Sequence, residues 1–197
     1  IYDDGLALGN GEVTLLELVR GYATLGHKGI YQPLSFLLDG DQPRDKKKRI
    51  FSEEATSLIG NILSDPWARR LEFSNSSLLN MPVQTAVKTG TSTDYRDAWA
   101  VGFNYRYVVG IWMGNLDRSP TDGVTGSTGP ALALRGIFSQ LNQYAQTKPL
   151  FLSPKLVKQE VCLAPNEKTS DENKSPCFTR TEYFISGTEQ GAKKSAA

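Results

Sequence analysis

The chain has 197 residues, of which 39% are hydrophobic and 22% are charged, and its formal net charge is +1. This length and composition predict a globular protein with one hydrophobic core, with room for a small satellite domain. The near-neutral charge gives no electrostatic reason to bind nucleic acid or an anionic membrane, and the longest apolar stretch, residues 108–113, is too short to span a bilayer.

The first predicted element is a helix that follows a loop rich in Gly and Asp. Thr14 and Glu17 form a capping box, and an apolar stripe at helical spacing follows them. Gly26 and Gly29 predict the end of this helix. His27, the only histidine of the chain, lies at that end, so we expect it to be an exposed loop residue and not a catalytic base.

A charge run at residues 44–49 separates an extended segment, residues 31–38, from a second predicted helix. We interpret this run as a solvated connection and not as a nucleic-acid site. Ser52 caps the second helix, which carries two glutamates in its first turn and is predicted to end near Ser64.

Short strands are predicted in the middle of the chain. They lie at residues 85–92, 98–103 and 108–113, and the last two form an antiparallel hairpin. The loop at 117–129 is rich in Gly but has no Walker lysine, which excludes a phosphate-binding loop. Pro130 then opens an amphipathic helix that is predicted to end at about Tyr144 to Gln146.

Cys162 and Cys177 are the only cysteines. Two free thiols and a local disulfide formed in an oxidising compartment are both compatible with their spacing. Too few Cys and His residues lie near them for a zinc site. The sequence therefore predicts no metal site, and it gives no reason to expect a cofactor.

The most informative motif is Lys88-Thr89-Gly90-Thr91, on a predicted strand. A strand at the edge of a cleft can offer its backbone to an extended peptide. Lys88 can supply positive charge for a substrate carboxylate, to which the hydroxyls of Thr89 and Thr91 can also bond. Gly90 lets another chain come close, and a backbone N–H near Thr91 can contribute to an oxyanion hole.

Further segments match one known family in order and spacing. They are residues 8–9, 12–18, 22–24, 87–92, 95–102 and 108–115, Val124-Thr125-Gly126, Val161-Cys162, Cys177 and residues 184–188. The sequence resembles the class A (bifunctional) penicillin-binding proteins, and its C-terminal pattern resembles the appendage of their 1C subgroup. In that family the Lys-Thr-Gly strand is the third motif of the active site.

This resemblance implies an α/β (α+β) fold of the serine β-lactamase and D,D-transpeptidase type. Such a fold has an antiparallel sheet flanked by helices, here incomplete and followed by a small β appendage. Residues 1–148 would be the C-terminal portion of the transpeptidase domain. Residues 149–190 would form the β-rich appendage, with a Cys162–Cys177 disulfide, and residues 191–197 a disordered tail.

The resemblance also implies a function. In this family a serine attacks a D-Ala-D-Ala stem peptide, an amine of a neighbouring peptidoglycan strand resolves the acyl-enzyme, and β-lactams acylate the same serine. The parent protein is expected to act at the periplasmic face of the inner membrane, with a glycosyltransferase domain and a membrane anchor. Lys88 would be the catalytic residue supplied here, Lys88, Thr89, Gly90 and Thr91 would bind substrate, and Thr125 and Gly126 would border the cleft.

The sequence departs from the family because it contains neither S-x-x-K nor S-x-N. We expect the nucleophile and the second motif to lie upstream of Ile1. Ser92 has no predicted base and does not occupy a nucleophile position of the family. The chain alone is therefore expected to be inactive. We also expect it to expose apolar surface that would pack against the upstream half or, without that half, would lead to self-association.

Two alternatives stay open at this stage. A serine β-lactamase-like hydrolase shares the Lys-Thr-Gly motif, although the appendage that contains Cys162 argues against it. A non-catalytic peptidoglycan-binding or interaction module would also be compatible with the missing nucleophile. The upstream sequence, with or without S-x-x-K and S-x-N, distinguishes these possibilities.

Overall fold

The computed structural model describes residues 5–6, 9, 11–36, 46–69, 78–144, 146–163 and 178–189. The helices are α1 (Leu15–Gly26), α2 (Glu53–Ser64) and α3 (Pro130–Asn142). The strands are β1 (Ile30–Tyr31), β2 (Lys48–Arg49), β3 (Ala86–Thr91), β4 (Asp97–Phe103), β5 (Val108–Gly114), β6 (Leu156–Leu163) and β7 (Phe178–Ile185). Among these described residues, no helix is long and apolar enough to cross a bilayer.

The central feature is a three-stranded antiparallel sheet in the order β3-β4-β5. The pairing of β3 with β4 runs from Ala86↔Phe103 to Thr91↔Ala98. β4 and β5 form the predicted hairpin. The mixed α/β architecture with an antiparallel sheet flanked by helices, expected from the sequence, is confirmed.

The two faces of this sheet pack against different helices. A Cβ atom at Gly110 would lie 2.4 Å from Val19 Cγ2, so α1 packs closely on one face. A Cβ atom at Gly102 would lie 3.0 Å from Phe138 Cε2, so α3 packs closely on the other. The faces are opposite because Gly102 directly follows Val101, the cross-strand partner of Gly110.

The hydrophobic core lies between the sheet and α3. Its buried members are Leu79, Val87, Ala100, Ala131, Leu134 and Phe138. Apolar side chains at helical spacing on α3 thus meet small residues on β4, which is why the helix can lie close to the strand. On the other face, the ring of Phe103 packs against Tyr22 of α1 with ring centroids 6.4 Å apart.

Local signals fixed the start of α1 as predicted. The Glu17 N–H donates to Thr14 Oγ1 at 3.2 Å, and the Thr14 N–H donates to the Glu17 carboxylate at 2.8 Å, which completes the capping box. That backbone hydrogen bond holds the pKa of Glu17 below its usual value. After the helix, Gly29 adopts a φ of +82°, and a Cβ atom there would lie 2.2 Å from the carbonyl oxygen of Phe51.

The predicted extents of two elements differ from the observed ones. Part of the charge run forms a strand, because Lys48 and Arg49 of β2 pair with β1 instead of lying in a connection. α3 ends before the predicted range, at Asn142. The buried Asn142 side chain donates to the Phe138 carbonyl and accepts from the Asn104 amide, which fixes the chain at this point.

The antiparallel pair β6–β7 packs against the rest of the described chain through α2. Arg180 of β7 forms ion pairs with Asp65, at the end of α2, and with Glu182 on its own strand. The Ser57 hydroxyl of α2 accepts the N–H of Ser153 at 2.8 Å. These contacts attach the appendage to the main body at several points.

A cavity of about 450 Å³ lies between the end of α2, residues 81–85 and the middle of β7. Arg69 is part of its wall, and burial lowers the pKa of this guanidinium. The residues of the Lys-Thr-Gly strand are not among those that line the cavity. This cavity is therefore separate from the edge at which chemistry is expected.

Cys162 lies on β6 and is disulfide-bonded. Its predicted partner, Cys177, lies outside the described residues, as does the predicted tail at 191–197. The pairing of Cys162 with Cys177 therefore stays a prediction, as do the proposed domain boundaries.

The core predicts the effect of shortening α3 side chains. Leu134 is 0% exposed, so Leu134→Ala should lower the free energy of unfolding in urea by about 2–5 kcal/mol, through lost burial and a cavity. Leu132 lies on the same helix and is 57% exposed, so Leu132→Ala should change the free energy of unfolding by less than about 0.5 kcal/mol. Equal losses would show that α3 does not bury the face described here.

The disulfide gives a second prediction. Non-reducing peptide mapping should join Cys162 to Cys177. Reduction should destabilise the appendage by roughly 3 kcal/mol, because it removes a cross-link that restricts the unfolded chain. Hydrogen exchange should then speed up in β6 and β7 while β3, β4 and β5 stay protected. Two free thiols in protein exported to an oxidising compartment would contradict the pairing.

Candidate functional site

The Lys-Thr-Gly strand lies at the edge of the sheet. β3 is the first strand in the order β3-β4-β5, so one of its sides has no partner strand among the described residues. Lys88, Gly90 and Thr91 are exposed, and Thr89 is half-buried. This is the position in which a strand can accept an extended ligand alongside it.

The hydrogen-bonding pattern directs particular backbone groups of β3 to the open side. The Ser92 N–H donates to the carbonyl oxygen of Asp97 at 2.9 Å, so these residues form a hydrogen-bonded pair. Such pairs alternate along an antiparallel ladder, so Gly90 is bonded to β4 while Thr89 and Thr91 are not. The N–H and C=O groups of Thr89 and Thr91 therefore point away from β4, towards the open edge.

The side chains of the motif lie on different faces of the sheet. Lys88 is opposite Val101, on the face covered by α1, because Val101 is also the partner of Gly110. Thr89 and Thr91 alternate with Lys88 and lie on the face covered by α3. The lysine and the two threonines can therefore act on one ligand group only if that group sits at the edge between the two faces.

The Lys88 side chain reaches this edge. Its Nζ donates to the carbonyl oxygen of Thr89 at 2.7 Å, and that carbonyl points to the open side of β3. An ammonium group has three N–H donors, so two remain for a ligand. The positive charge therefore lies beside the edge of β3 that has no partner strand in the described part of the chain, where a carboxylate could meet it.

Gly126 connects the loop before α3 to the end of β3. Its N–H donates to Thr91 Oγ1 at 3.0 Å. A Cβ atom at this position would lie 2.6 Å from the carbonyl oxygens of both Gly90 and Trp99. Only glycine fits, and because the Thr91 hydroxyl accepts the amide of Gly126, its own proton remains available as a donor.

Thr125, the other predicted border residue, bonds within its own loop. Its hydroxyl is 2.9 Å from Ser127 Oγ and 3.0 Å from Thr128 Oγ1. The structure thus brings Gly126, but not the Thr125 hydroxyl, into contact with β3. Earlier in this loop, hydrogen bonds from Ser119 hold the pKa of Asp117 below its usual value.

Among the described residues, His27 and Ser92 make hydrogen bonds that belong to the local structure. His27 is exposed and caps the end of α1, as expected. The Ser92 hydroxyl accepts the Asp97 N–H at 2.8 Å and donates to the Asp97 carboxylate at 3.1 Å. These bonds form a local turn on half-buried residues, and they commit the hydroxyl to structure.

Sequence reasoning missed Asp97. It pairs with Ser92 and also accepts the indole N–H of Trp112 at 2.8 Å. The side chain of Asp97 therefore joins the end of β3 to the end of β5. No spacing rule for helices or strands predicts such a bond, because it depends on the register of the β4–β5 hairpin.

Similar proteins were found by sequence. Penicillin-binding protein 1C of Escherichia coli (strain K12) is 30% identical over 182 residues, which cover 91% of this chain and 22% of that protein. Penicillin-binding protein 1B of Vibrio cholerae serotype O1 is 30% identical over 147 residues, covering 71% of this chain and 18% of that protein. No family model matches the chain.

The structural comparison agrees with these relatives. The crystal structure of penicillin-binding protein 1A from Haemophilus influenzae superposes with a TM-score of 0.71, at 22% identity, over 96% of this chain and 34% of that one. The chain resembles the class A penicillin-binding proteins. The sequence relatives confirm the predicted similarity to the transpeptidase region of this family, including the 1C subgroup. The superposition confirms the predicted fold. The chain spans only about a fifth of the curated relatives it matches, 22% and 18% of the two named here.

The close packing of Gly126 against β3 can be tested without any assay of activity. Gly126→Ala should lower the free energy of unfolding by about 1–3 kcal/mol, because the new methyl group meets backbone atoms that cannot move aside. Gly136, on the exposed side of α3, has nothing within 4 Å of its Cβ position. Gly136→Ala should therefore stabilise the chain slightly, by about 0.5–1 kcal/mol. A neutral Gly126→Ala would mean that the loop is not held against β3.

Proposed function

We propose that this chain forms one wall of a peptidoglycan D,D-transpeptidase site that acts through an acyl-serine intermediate. The observation that carries the proposal is the open edge of β3, where the Lys88 ammonium and the outward-facing backbone of Thr89 and Thr91 lie together. The similarity to penicillin-binding proteins over 91% of the chain supports the same reaction.

The reaction needs a nucleophile from outside this chain, because the sequence contains no S-x-x-K motif. In the proposed mechanism a serine of the upstream half attacks the carbonyl carbon between the two D-Ala residues. A bond forms between the serine oxygen and this carbon, the peptide C–N bond breaks, and the terminal D-Ala leaves as its amine takes up the proton that the serine hydroxyl gives up. An amine of a second strand then attacks the ester carbon, a new C–N bond forms, the bond between that carbon and the serine oxygen breaks, and a proton lost by the amine restores the serine hydroxyl.

The residues of β3 have distinct parts in this mechanism. Lys88 binds the terminal carboxylate of the stem peptide through a charge-assisted hydrogen bond, and the Thr91 hydroxyl donates to the same group. The outward N–H of Thr91 stabilises the oxyanion that forms on the attacked carbonyl. β-Lactams carry a carboxylate and a strained amide, so they fit the same positions and acylate the same serine.

The proposed setting follows from the relatives. We place the parent protein at the periplasmic face of the bacterial inner membrane, held by an anchor outside this chain, together with a glycosyltransferase domain. An oxidising compartment is consistent with the disulfide-bonded Cys162. The exposed apolar residues of α1 and α2, which include Leu16 and Ile62, would pack against the upstream half or, without it, favour self-association.

The proposal predicts that the chain alone forms no stable penicilloyl adduct, because it lacks the nucleophile. Incubation with a labelled penicillin followed by intact-mass measurement tests this. The longer natural protein that contains the chain should gain one adduct mass in the same experiment. A stoichiometric adduct on the chain alone would place the nucleophile within it and overturn the mechanism.

Lys88 can be tested in the longer protein. Lys88→Ala should reduce the rate of acylation by a labelled penicillin by roughly 10- to 100-fold, since a hydrogen bond to a charged group contributes about 1.5–3 kcal/mol. Lys148 is also an exposed lysine, but it follows α3 and has no assigned part in the site. Lys148→Ala should leave acylation unchanged, and an equal effect of both substitutions would exclude a specific part for Lys88.

A further inference from the structure

The turn that follows β3 has an unusual backbone. Asp94 and Tyr95 both have positive φ angles, 60° and 55°, a conformation that residues other than glycine rarely adopt. Two such residues in succession need support from outside the turn. Part of it comes from Thr121, whose N–H and hydroxyl donate to the Tyr95 carbonyl oxygen at 2.8 and 2.5 Å.

Asp97 supports the same turn from its other side. Both the backbone and the side chain of Asp97 form hydrogen bonds with Ser92. The Ser92 N–H donates to the Asp97 carbonyl at 2.9 Å, the Asp97 N–H donates to Ser92 Oγ at 2.8 Å, and Ser92 Oγ donates to Asp97 Oδ2 at 3.1 Å. Oδ1 of the carboxylate accepts the Trp112 indole N–H at 2.8 Å. The carboxylate thus ties the turn to β5.

The position of this network relates it to the chemistry at the edge. Ser92 directly follows Thr91, so the bonds to Asp97 fix the chain immediately after the residue whose N–H faces the open side. On the preceding side, Gly90 is paired with Trp99 of β4. Thr91 is therefore held between two anchored neighbours, and Asp97 provides one of the two anchors.

We propose that Asp97 is a positioning residue that keeps the Thr91 N–H directed at the oxyanion. This inference rests on the proposed function. Hydrogen-bond donors that stabilise a developing charge work because they are already aimed before the reaction, and a small displacement weakens them strongly. Asp97 acts through Ser92 and Thr91, and in this arrangement it contacts neither the substrate nor the nucleophile.

The test uses the longer natural protein and a fluorescent penicillin. Stopped-flow kinetics separate the dissociation constant of the first complex from k2, the limiting rate constant of acylation. Ser92→Ala and Asp97→Asn should each lower k2 roughly tenfold or more, with the dissociation constant changed less than about twofold, because the lost interaction belongs to the transition state. Ser92→Thr keeps a hydroxyl and should restore k2.

A matched control separates positioning from simple loss of stability. Ser52 Oγ accepts the Ala55 N–H at 3.1 Å as the N-cap of α2, so Ser52→Ala also removes a structural serine hydroxyl, but one that bonds within the first turn of α2 and not to the turn after β3. It should lower the melting temperature while k2 stays at the wild-type value. Equal losses of k2 in Ser52→Ala and Ser92→Ala, or an unchanged k2 in Asp97→Asn, would overturn the positioning role.

Different outcomes of this experiment would overturn the proposed function and the positioning role of Asp97. A wild-type protein that takes up no penicillin would overturn the proposed function and the role of Asp97 with it. A wild-type protein that is acylated normally, with Asp97 variants that are acylated as fast, would leave the proposed function intact and overturn only the positioning role.

Discussion

The close approach of α3 to β4 is the constraint on which the rest of the described structure depends. Small residues on the α3-facing side of β4, including Ala98 and Ala100, are 0% exposed and let Leu134 and Phe138 reach the sheet. Because α3 starts immediately beyond Gly129, the preceding loop must cross the end of β3 and β4. The packing of Gly126 against Gly90 and its hydrogen bond to the Thr91 hydroxyl therefore depend on where the helix lies.

Sequence reasoning succeeded where a structure is determined by neighbouring residues. The capping box of Thr14 and Glu17, the Ser52 cap and the alternating strands around Lys88 all act over a few positions, and each was found in the expected place. The end of α3 was misplaced because it depends on Asn104, which is distant in sequence and bonds to Asn142. Local patterns do not contain that contact.

The candidate site was predictable only in part for the same reason. The motif at Lys88 can be recognised from its residue types alone. The loop at Gly126 can be recognised because it resembles a loop of the class A penicillin-binding proteins. Their contact joins residues 35 positions apart, and its closeness comes from the absence of a side chain at Gly126. The separation of Lys88 from the threonines onto opposite faces follows from strand alternation, yet the edge on which they can act together emerges only from the sheet order.

The open edge of β3 also has a consequence for how the protein behaves in solution. Unpaired N–H and C=O groups on an exposed strand are a template for pairing with any other strand, including one from a second molecule, which is how edge-to-edge aggregation begins. The proposed recognition of extended peptides through the backbone requires that those groups stay available. The exposed ammonium of Lys88 at this edge limits the hazard, since two copies that approached edge to edge would bring like charges together. The same lysine that would attract a substrate carboxylate thus also opposes edge-to-edge pairing of two copies through β3.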